Sequence, residues 1–215
     1  MEVIGALHQK FVAARRVQVL AGHLAALIPT RARVLDVGCG DGLIDHLISE
    51  RRADVSIQGI DVLVRQHTPI LVKGFDGTTI PCSDASFDVV MFVDVLHHLV
   101  DPFVLLREAQ RVASTILIKD HFRDGFLSGA TLRFMDWVGN AHHGVVLPYN
   151  YWSRLEWDQA FAELQLKVGA TNARLGLYTW PASWIFERGL HFVARLERAE
   201  VRRPVSSQIR TFENI

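Results

Sequence analysis

Three aspartates and a run of glycines carry the clearest chemistry in this sequence. Gly38, Gly40 and Gly42 alternate through Gly38-Cys39-Gly40-Asp41-Gly42, between an apolar stretch and a helical one. Glycines at such a junction permit a tight turn and let a ligand lie against the backbone. The spacing departs from the dinucleotide fingerprint GxGxxG, whose third glycine comes one residue later. Acids accompany the loop, Asp36 before it and Asp41 within it. Like charges repel, so this loop serves a pyrophosphate poorly and an ammonium or sulfonium well. Asp61 closes Gln58-Gly59-Ile60-Asp61, 19 residues past Gly42. A carboxylate there can accept from both hydroxyls of a ribose. Asp76 could accept from an adenine amino group while the Gly77 N–H donates to the ring. Each acid also has a plainer use, Asp61 as a helix N-cap and Asp76-Gly77 as a turn.

The elements that must position these residues are legible from periodicity. Val3, Leu7, Phe11 and Ala14, then Leu20, Leu24 and Leu27, predict a helix from Glu2 to Ile28, ended by Pro29. Arg33–Val37 reads as a buried strand and Leu43–Arg51 as the helix after the glycine loop. Further strands are expected at Val55–Ile60, Ile70–Gly74, Phe87–Val93 and Thr115–Lys119, with a helix at Pro102–Val112 whose proline sits in its first turn. Alternating strands and helices predict an α/β fold, a doubly wound and mostly parallel sheet whose ligands lie beyond the carboxyl ends of the strands. The three acids fall at three such ends. After Asp120 the texture turns aromatic. Helices are expected over 126–138 and from Trp152 to Leu164, the latter with Ser153 and Glu156 at capping-box spacing. Strands near Gln165–Ala173 and His191–Leu196 bring the sheet to seven.

Composition narrows the function. The 215 residues hold 23 Lys+Arg against 23 Asp+Glu, a balance unlike the strongly basic one of a nucleic-acid binder. Hydrophobic residues at 49% support a sizeable core. Cys39 and Cys82 make neither a disulfide framework nor a CxxC zinc site. No run of 18 apolar residues and no leader-like start is seen, so the reading is a soluble, cytoplasmic protein without membrane insertion. Arg15 and Arg16 on the first helix leave peripheral contact with a bilayer open. The expected organisation is a single domain: a helical extension (1–29), a ligand-binding core (30–120), an insertion (121–164), final strands (165–201) and a polar tail (202–215).

At this point the sequence resembles a known family. Val34-Leu35-Asp36-Val37-Gly38-Cys39-Gly40-Asp41-Gly42 is similar to the glycine-rich signature of class I S-adenosylmethionine-dependent methyltransferases. Gly59-Ile60-Asp61 resembles their ribose-binding strand end. The run from Asp76-Gly77 to Ser86-Phe87-Asp88 resembles the stretch with the adenine-contacting acid. Asp94-Val95-Leu96-His97-His98-Leu99 resembles the branch that includes quinone-biosynthesis enzymes, and the later segments resemble a subset of bacterial type 11 methyltransferases. Phe75 departs from the glycine usual before the adenine acid. The resemblance implies a Rossmann-like fold, S-adenosylmethionine as cofactor and S-adenosylhomocysteine as product. It also implies that Asp36, Gly38 and Gly40 frame the methionine end, Asp61 and Val62 the ribose, and Asp76 and Gly77 the adenine. The backbone at Val93-Asp94 would accept from the cofactor's amino group.

For the transfer itself the candidate bases are His121 and, after it, His98. Adjacent residues of an extended segment point to opposite sides, so Asp120 is not expected to orient the His121 ring. His142-His143 without a third spaced ligand is weak ground for a metal. The aromatic insertion is the expected lid and acceptor pocket, with His97, Tyr149, Tyr151 and Trp152 as substrate-binding candidates for a small apolar or aromatic acceptor. Against this stand a non-catalytic cofactor-binding subunit, a nicotinamide-dependent oxidoreductase, which the acidic loop disfavours, and a nucleic-acid methyltransferase, which the neutral charge disfavours.

Overall fold

Phe87–Val93, apolar almost throughout, forms β4 (Val89–Val93) at the middle of a seven-stranded sheet. The computed structural model describes residues 2–140 and 148–199, with the backbone alone at 2–13 and 139–140. The other strands are β1 (Arg33–Val37), β2 (Ser56–Asp61), β3 (Val72–Gly74), β5 (Thr115–His121), β6 (Leu166–Asn172) and β7 (His191–Arg198). Their order is β3-β2-β1-β4-β5-β7-β6. Strands β1 to β5 pair in parallel, whereas β7 runs antiparallel to both β5 and β6. The chain leaves β1 in one direction and returns to its other side with β4, so a crevice opens at the carboxyl ends of these two strands.

Helices cover both faces. On one, α1 (Glu2–Leu27) and α2 (Leu43–Arg51) bury Leu20, Leu24 and Ile48 against Val34, Val89 and Met91. On the other, α3 (Pro102–Val112) and α5 (Arg154–Glu163) bury Leu105, Leu106, Trp157 and Phe161 against Leu35, Val37, Val90 and Phe92. The alternation Val34/Leu35 across the two cores is the pleat of β1 expressed as packing. Asp101 caps α3 by accepting from the Phe103 N–H at 2.9 Å, and Ser153 with Glu156 closes the expected capping box on α5. Two further helices, α4 (Ser128–Asn140) and α6 (Ser183–Phe186), lie in the segments flanking the carboxyl edge.

The predicted α2 and α3 match to the residue, and β1 likewise. The informative difference is at β5, which continues two residues beyond Lys119 and is buried over its whole length. Asp120 and His121 are therefore strand residues, and register sets Val93 beside Lys119 and His121 beside His191. Among the described residues, no helix is long and apolar enough to cross a membrane.

Candidate functional site at the carboxyl edge

The glycine loop is held in shape from both sides. Gly38 has φ 79°, and a Cβ there would lie 2.5 Å from Val95 Cγ2. Gly42, at φ 73°, would meet Ile70 Cγ1 at the same distance. Only glycine fits either backbone without displacement. Asp61, at the tip of β2, accepts from the Gly40 N–H at 2.8 Å and from the Leu63 N–H at 2.8 Å, one bond per oxygen. Its remaining lone pairs are available for a diol, so the acid both fixes the loop and can take a ribose. Asp76 anchors a turn, accepting at Oδ1 from the Thr78 and Thr79 N–H groups, each at 2.7 Å, and from the Thr78 hydroxyl. These donors lower its pKa, and its other oxygen takes no part in the turn. Gly77 lies against Val62, whose Cγ1 is 3.1 Å from where a Gly77 Cβ would stand. The sequence-predicted ribose and adenine residues thus share one wall, lined by the exposed side chains of Val62, Leu63 and Val64.

Below the loop lies a second acid that sequence reasoning did not single out. Asp45 of α2 is fully buried and its carboxyl faces that of buried Asp36 on β1. Asp36 Oδ1 and both Asp45 oxygens have no N–H or O–H donor. Burial, and then each other's proximity, raises the Asp36 pKa well above the ordinary range, and burial lifts Asp45 to about 7. One proton held between the two carboxyls relieves both. The clue in the sequence was an aspartate on the stripe that α2 otherwise buries with Ile48.

Past β4 and β5 the edge is a network of ionisable groups around a cavity of about 230 Å³, lined by Arg16, Asp94, His98, His121, Met135, Asp136 and Tyr178. A larger cavity, about 510 Å³, is lined by residues of β1 and β2, by Lys73 of β3 and by the segment from Pro81 to Phe87, and shares no lining residue with this one. Asp94, in left-handed backbone at φ 57°, accepts from Arg16 at 2.7 Å and from the fully buried Lys119. Burial works against its charge, yet Lys119 and Arg16 hold its pKa below the ordinary value. Burial lowers the Lys119 pKa against the pull of Asp94.

His97, expected to touch substrate, is only 2% exposed and lies behind the cavity. Its Nδ1–H donates to Asp120 at 2.7 Å, and its Nε2 lies 3.3 Å from Asp136 Oδ2. Burial opposes the charge, but the two carboxylates prevail and lift the ring to about 10, so it is an imidazolium. His98 is next to it, ring centroids 4.1 Å apart, and lines the cavity. Burial and the charge on His97 lower its pKa, and its Nδ1 has no hydrogen-bond partner. His121 is neutral for similar reasons, burial first and Lys119 second. Its nitrogens are occupied, Nε2 by Lys119 Nζ at 3.4 Å and Nδ1 by Asp120 at 3.3 Å. Asp120 thus reaches the His121 ring after all, because its carboxylate folds back to accept from the His121 N–H at 2.8 Å.

The aromatic candidates separate. Tyr151 is buried, and its hydroxyl donates to Asp136 at 2.5 Å, which places it under the cavity. Trp152 stacks near Phe103 and Trp157 in the α3–α5 core. Tyr149 is half-buried, with Arg133 over its ring at 5.5 Å. None of the three lines the cavity. Tyr178 and Met135 do, and neither stood out in the sequence, since each follows an ordinary apolar or aromatic run. Two triads, His97–Asp120–His121 and His97–His98–Asp136, bring metal-ligand atoms within 4.8 Å. His97 belongs to both. His142 and His143 lie outside the described residues.

Comparison with known proteins agrees with this fold. A family model described as a methyltransferase domain matches residues 8–170. The 27-O-demethylrifamycin SV methyltransferase of Amycolatopsis mediterranei is 34% identical over 109 residues, 43% of this chain and 39% of that protein. The match therefore spans about two-fifths of that relative's length. Similar solved structures include a chain of the complex between the Haloferax volcanii Trm112 methyltransferase activator and a methyltransferase, at TM-score 0.64 and 17% identity, covering 89% of this chain and 94% of that one. An S-adenosylmethionine-dependent methyltransferase from Mesorhizobium loti aligns at TM-score 0.59 and 15% identity over 82% and 96%. At these identities the structural likeness is one of fold.

Proposed function

We infer from fold and cavity that this chain, which belongs to the methyltransferase-domain family and is an S-adenosylmethionine-dependent methyltransferase, methylates a hydroxyl of a small apolar or aromatic acceptor. The cofactor, when bound, supplies a methyl group on a sulfonium that departs as a neutral thioether. Its fit to this chain rests on the acid-rich strand tips: Asp61 with lone pairs to spare, and Asp76 beside the Gly77–Val62 wall.

The observation that carries the acceptor reading is His98, a neutral imidazole on the cavity wall. Such a group can take the proton that a hydroxyl must lose as it is methylated. His97, clamped as a cation between Asp120 and Asp136, keeps His98 from protonating. His98 therefore replaces His121 as the first candidate base, because both nitrogens of His121 are already engaged. Around the mouth, Phe134 shares α4 with Met135 and Asp136, and it stacks toward Phe186 at 6.5 Å, which in turn approaches Tyr178 at 5.6 Å. Arg188 ties the two segments by donating to Phe126 O and Thr131 Oγ1. Phe126, Trp137 and Trp184 stand exposed on these segments and offer an apolar rim for the body of an acceptor. The oxygen methyltransferase among the relatives favours the same assignment.

The test is S-adenosylhomocysteine release from S-adenosylmethionine with a panel of phenols and hydroxylated polycycles, for wild type and His98→Ala. Loss of a general base costs on the order of 10²–10⁴-fold in turnover. The variant should lose that much kcat with cofactor affinity unchanged. In the wild type the acid limb of the rate profile should fall below the ordinary histidine value of 6.5, as burial and His97 require. Full turnover by His98→Ala, or no product from any hydroxylated acceptor, rejects the assignment.

A further inference from the structure

We infer that Arg16 of α1 takes the carboxylate of the cofactor's amino-acid arm, an assignment that rests on the S-adenosylmethionine reading above. The cofactor carries both signs, an ammonium and sulfonium on one hand and a carboxylate on the other. Asp61 and Asp76 answer the hydroxylated nucleoside, and neither answers the carboxylate.

Arg16 stands where that group must go. Its guanidinium reaches Asp94 at 2.7 Å, and Asp94 directly follows Val93 at the carboxyl end of β4. The next residue, Val95, touches Gly38 of the loop. The cation therefore sits over the crevice between β1 and β4, and it lines the cavity. It is also short of acceptors. Asp94 is shared with Lys119, so one carboxylate serves two cations, while Asp136 on the opposite wall is engaged with His97 and Tyr151. Arg16 Nε is buried with no hydrogen-bond partner. A carboxylate meeting the fork of a guanidinium takes two parallel N–H bonds, which would fill this deficit. The other arginine at the loop, Arg65, is turned toward Asp41 at 4.0 Å, on the outer side near Gly40.

The experiment compares two ligands by calorimetry without any acceptor: S-adenosylmethionine and its decarboxylated analogue, which keeps the amine, sulfonium and nucleoside. Wild type should favour the former by about tenfold to a hundredfold, the scale of charge-assisted bonding. In Arg16→Gln that preference should collapse toward unity through loss of S-adenosylmethionine affinity alone, and Arg16→Lys should keep part of it. A preference unchanged in Arg16→Gln, or absent in wild type, overturns the assignment, as does an equal loss of both ligands in the two variants, which marks a structural role. If wild type binds neither ligand, the cofactor reading falls and takes this one with it.

Discussion

Replacing Asp45 by asparagine should make the protein more stable in neutral and mildly alkaline solution and change the way its stability depends on pH. Folded, Asp36 and Asp45 retain a proton that unfolded aspartates release near 3.8. A raised folded-state value means the retained proton contributes stability fully below 3.8, and that contribution is lost as pH rises through about 7. At about 1.36 kcal/mol for each tenfold change in proton affinity, the window from 3.8 to about 7 spans on the order of 4 kcal/mol. Most of the readable part, about 2–3 kcal/mol, falls between about pH 5 and pH 8. In Asp45→Asn an amide N–H, permanently present, stands where the shared proton stood and can donate to Asp36. Urea unfolding of both proteins at four pH values gives the quantity needed, the difference in free energy between them. His97, His98, His121 and His191 titrate in both proteins and cancel in that difference. Stability of wild type relative to the variant should decline by about 2–3 kcal/mol over the interval. A difference that stays flat with pH, or that grows in favour of wild type as pH rises, would refute the shared proton.

Asp61→Ala removes the acceptor that holds the Gly40 N–H and that we assign to the ribose, so S-adenosylmethionine affinity should fall by about tenfold to a hundredfold, and calorimetry showing no change would reject the ribose role. Gly38→Ala puts a methyl group 2.5 Å from Val95 Cγ2 on left-handed backbone, and should cost about 1–3 kcal/mol in thermal or urea unfolding. Adding Val95→Ala should recover the steric part and leave the backbone part; a double variant no more stable than the single one would show that the contact is not the cause.

The glycine loop and the strand-end acids were written in local sequence, and the buried histidine network was not. Asp36, Gly38, Asp61 and Asp76 each sit at a strand end, and strand ends can be found from apolar runs and the turns that close them. Periodicity reports which face of an element is buried, which is why β1, α2 and α3 were located to the residue. Asp120 and His121 read as lying past the end of β5 because they are polar, and nothing local marked Lys119 as buried. They are buried because their partners come from elsewhere: Asp94 for Lys119, His97 for Asp120, and His191 across the sheet. Twenty-three residues separate His97 from Asp120, and no local pattern records such a pair. Tyr151 misled for the converse reason. A Pro-Tyr-Asn-Tyr loop suggests accessible side chains, but Asp136 draws this hydroxyl inward.

The position of β7 bears on how the molecule is made. It is the last strand among the described residues yet lies inside the sheet, with β5 on one side and β6 on the other. While the ribosome is still adding residues between 172 and 191, β6 has no neighbour to join and β5 presents a bare edge to the cell. His191, which meets both Lys119 and the Phe186 carbonyl, arrives with that same strand. Long-range closures of this kind are slow and leave sticky intermediates exposed. A nascent chain halted near residue 170 would therefore carry the glycine loop and all the strand-end acids and still lack a completed sheet to hold them.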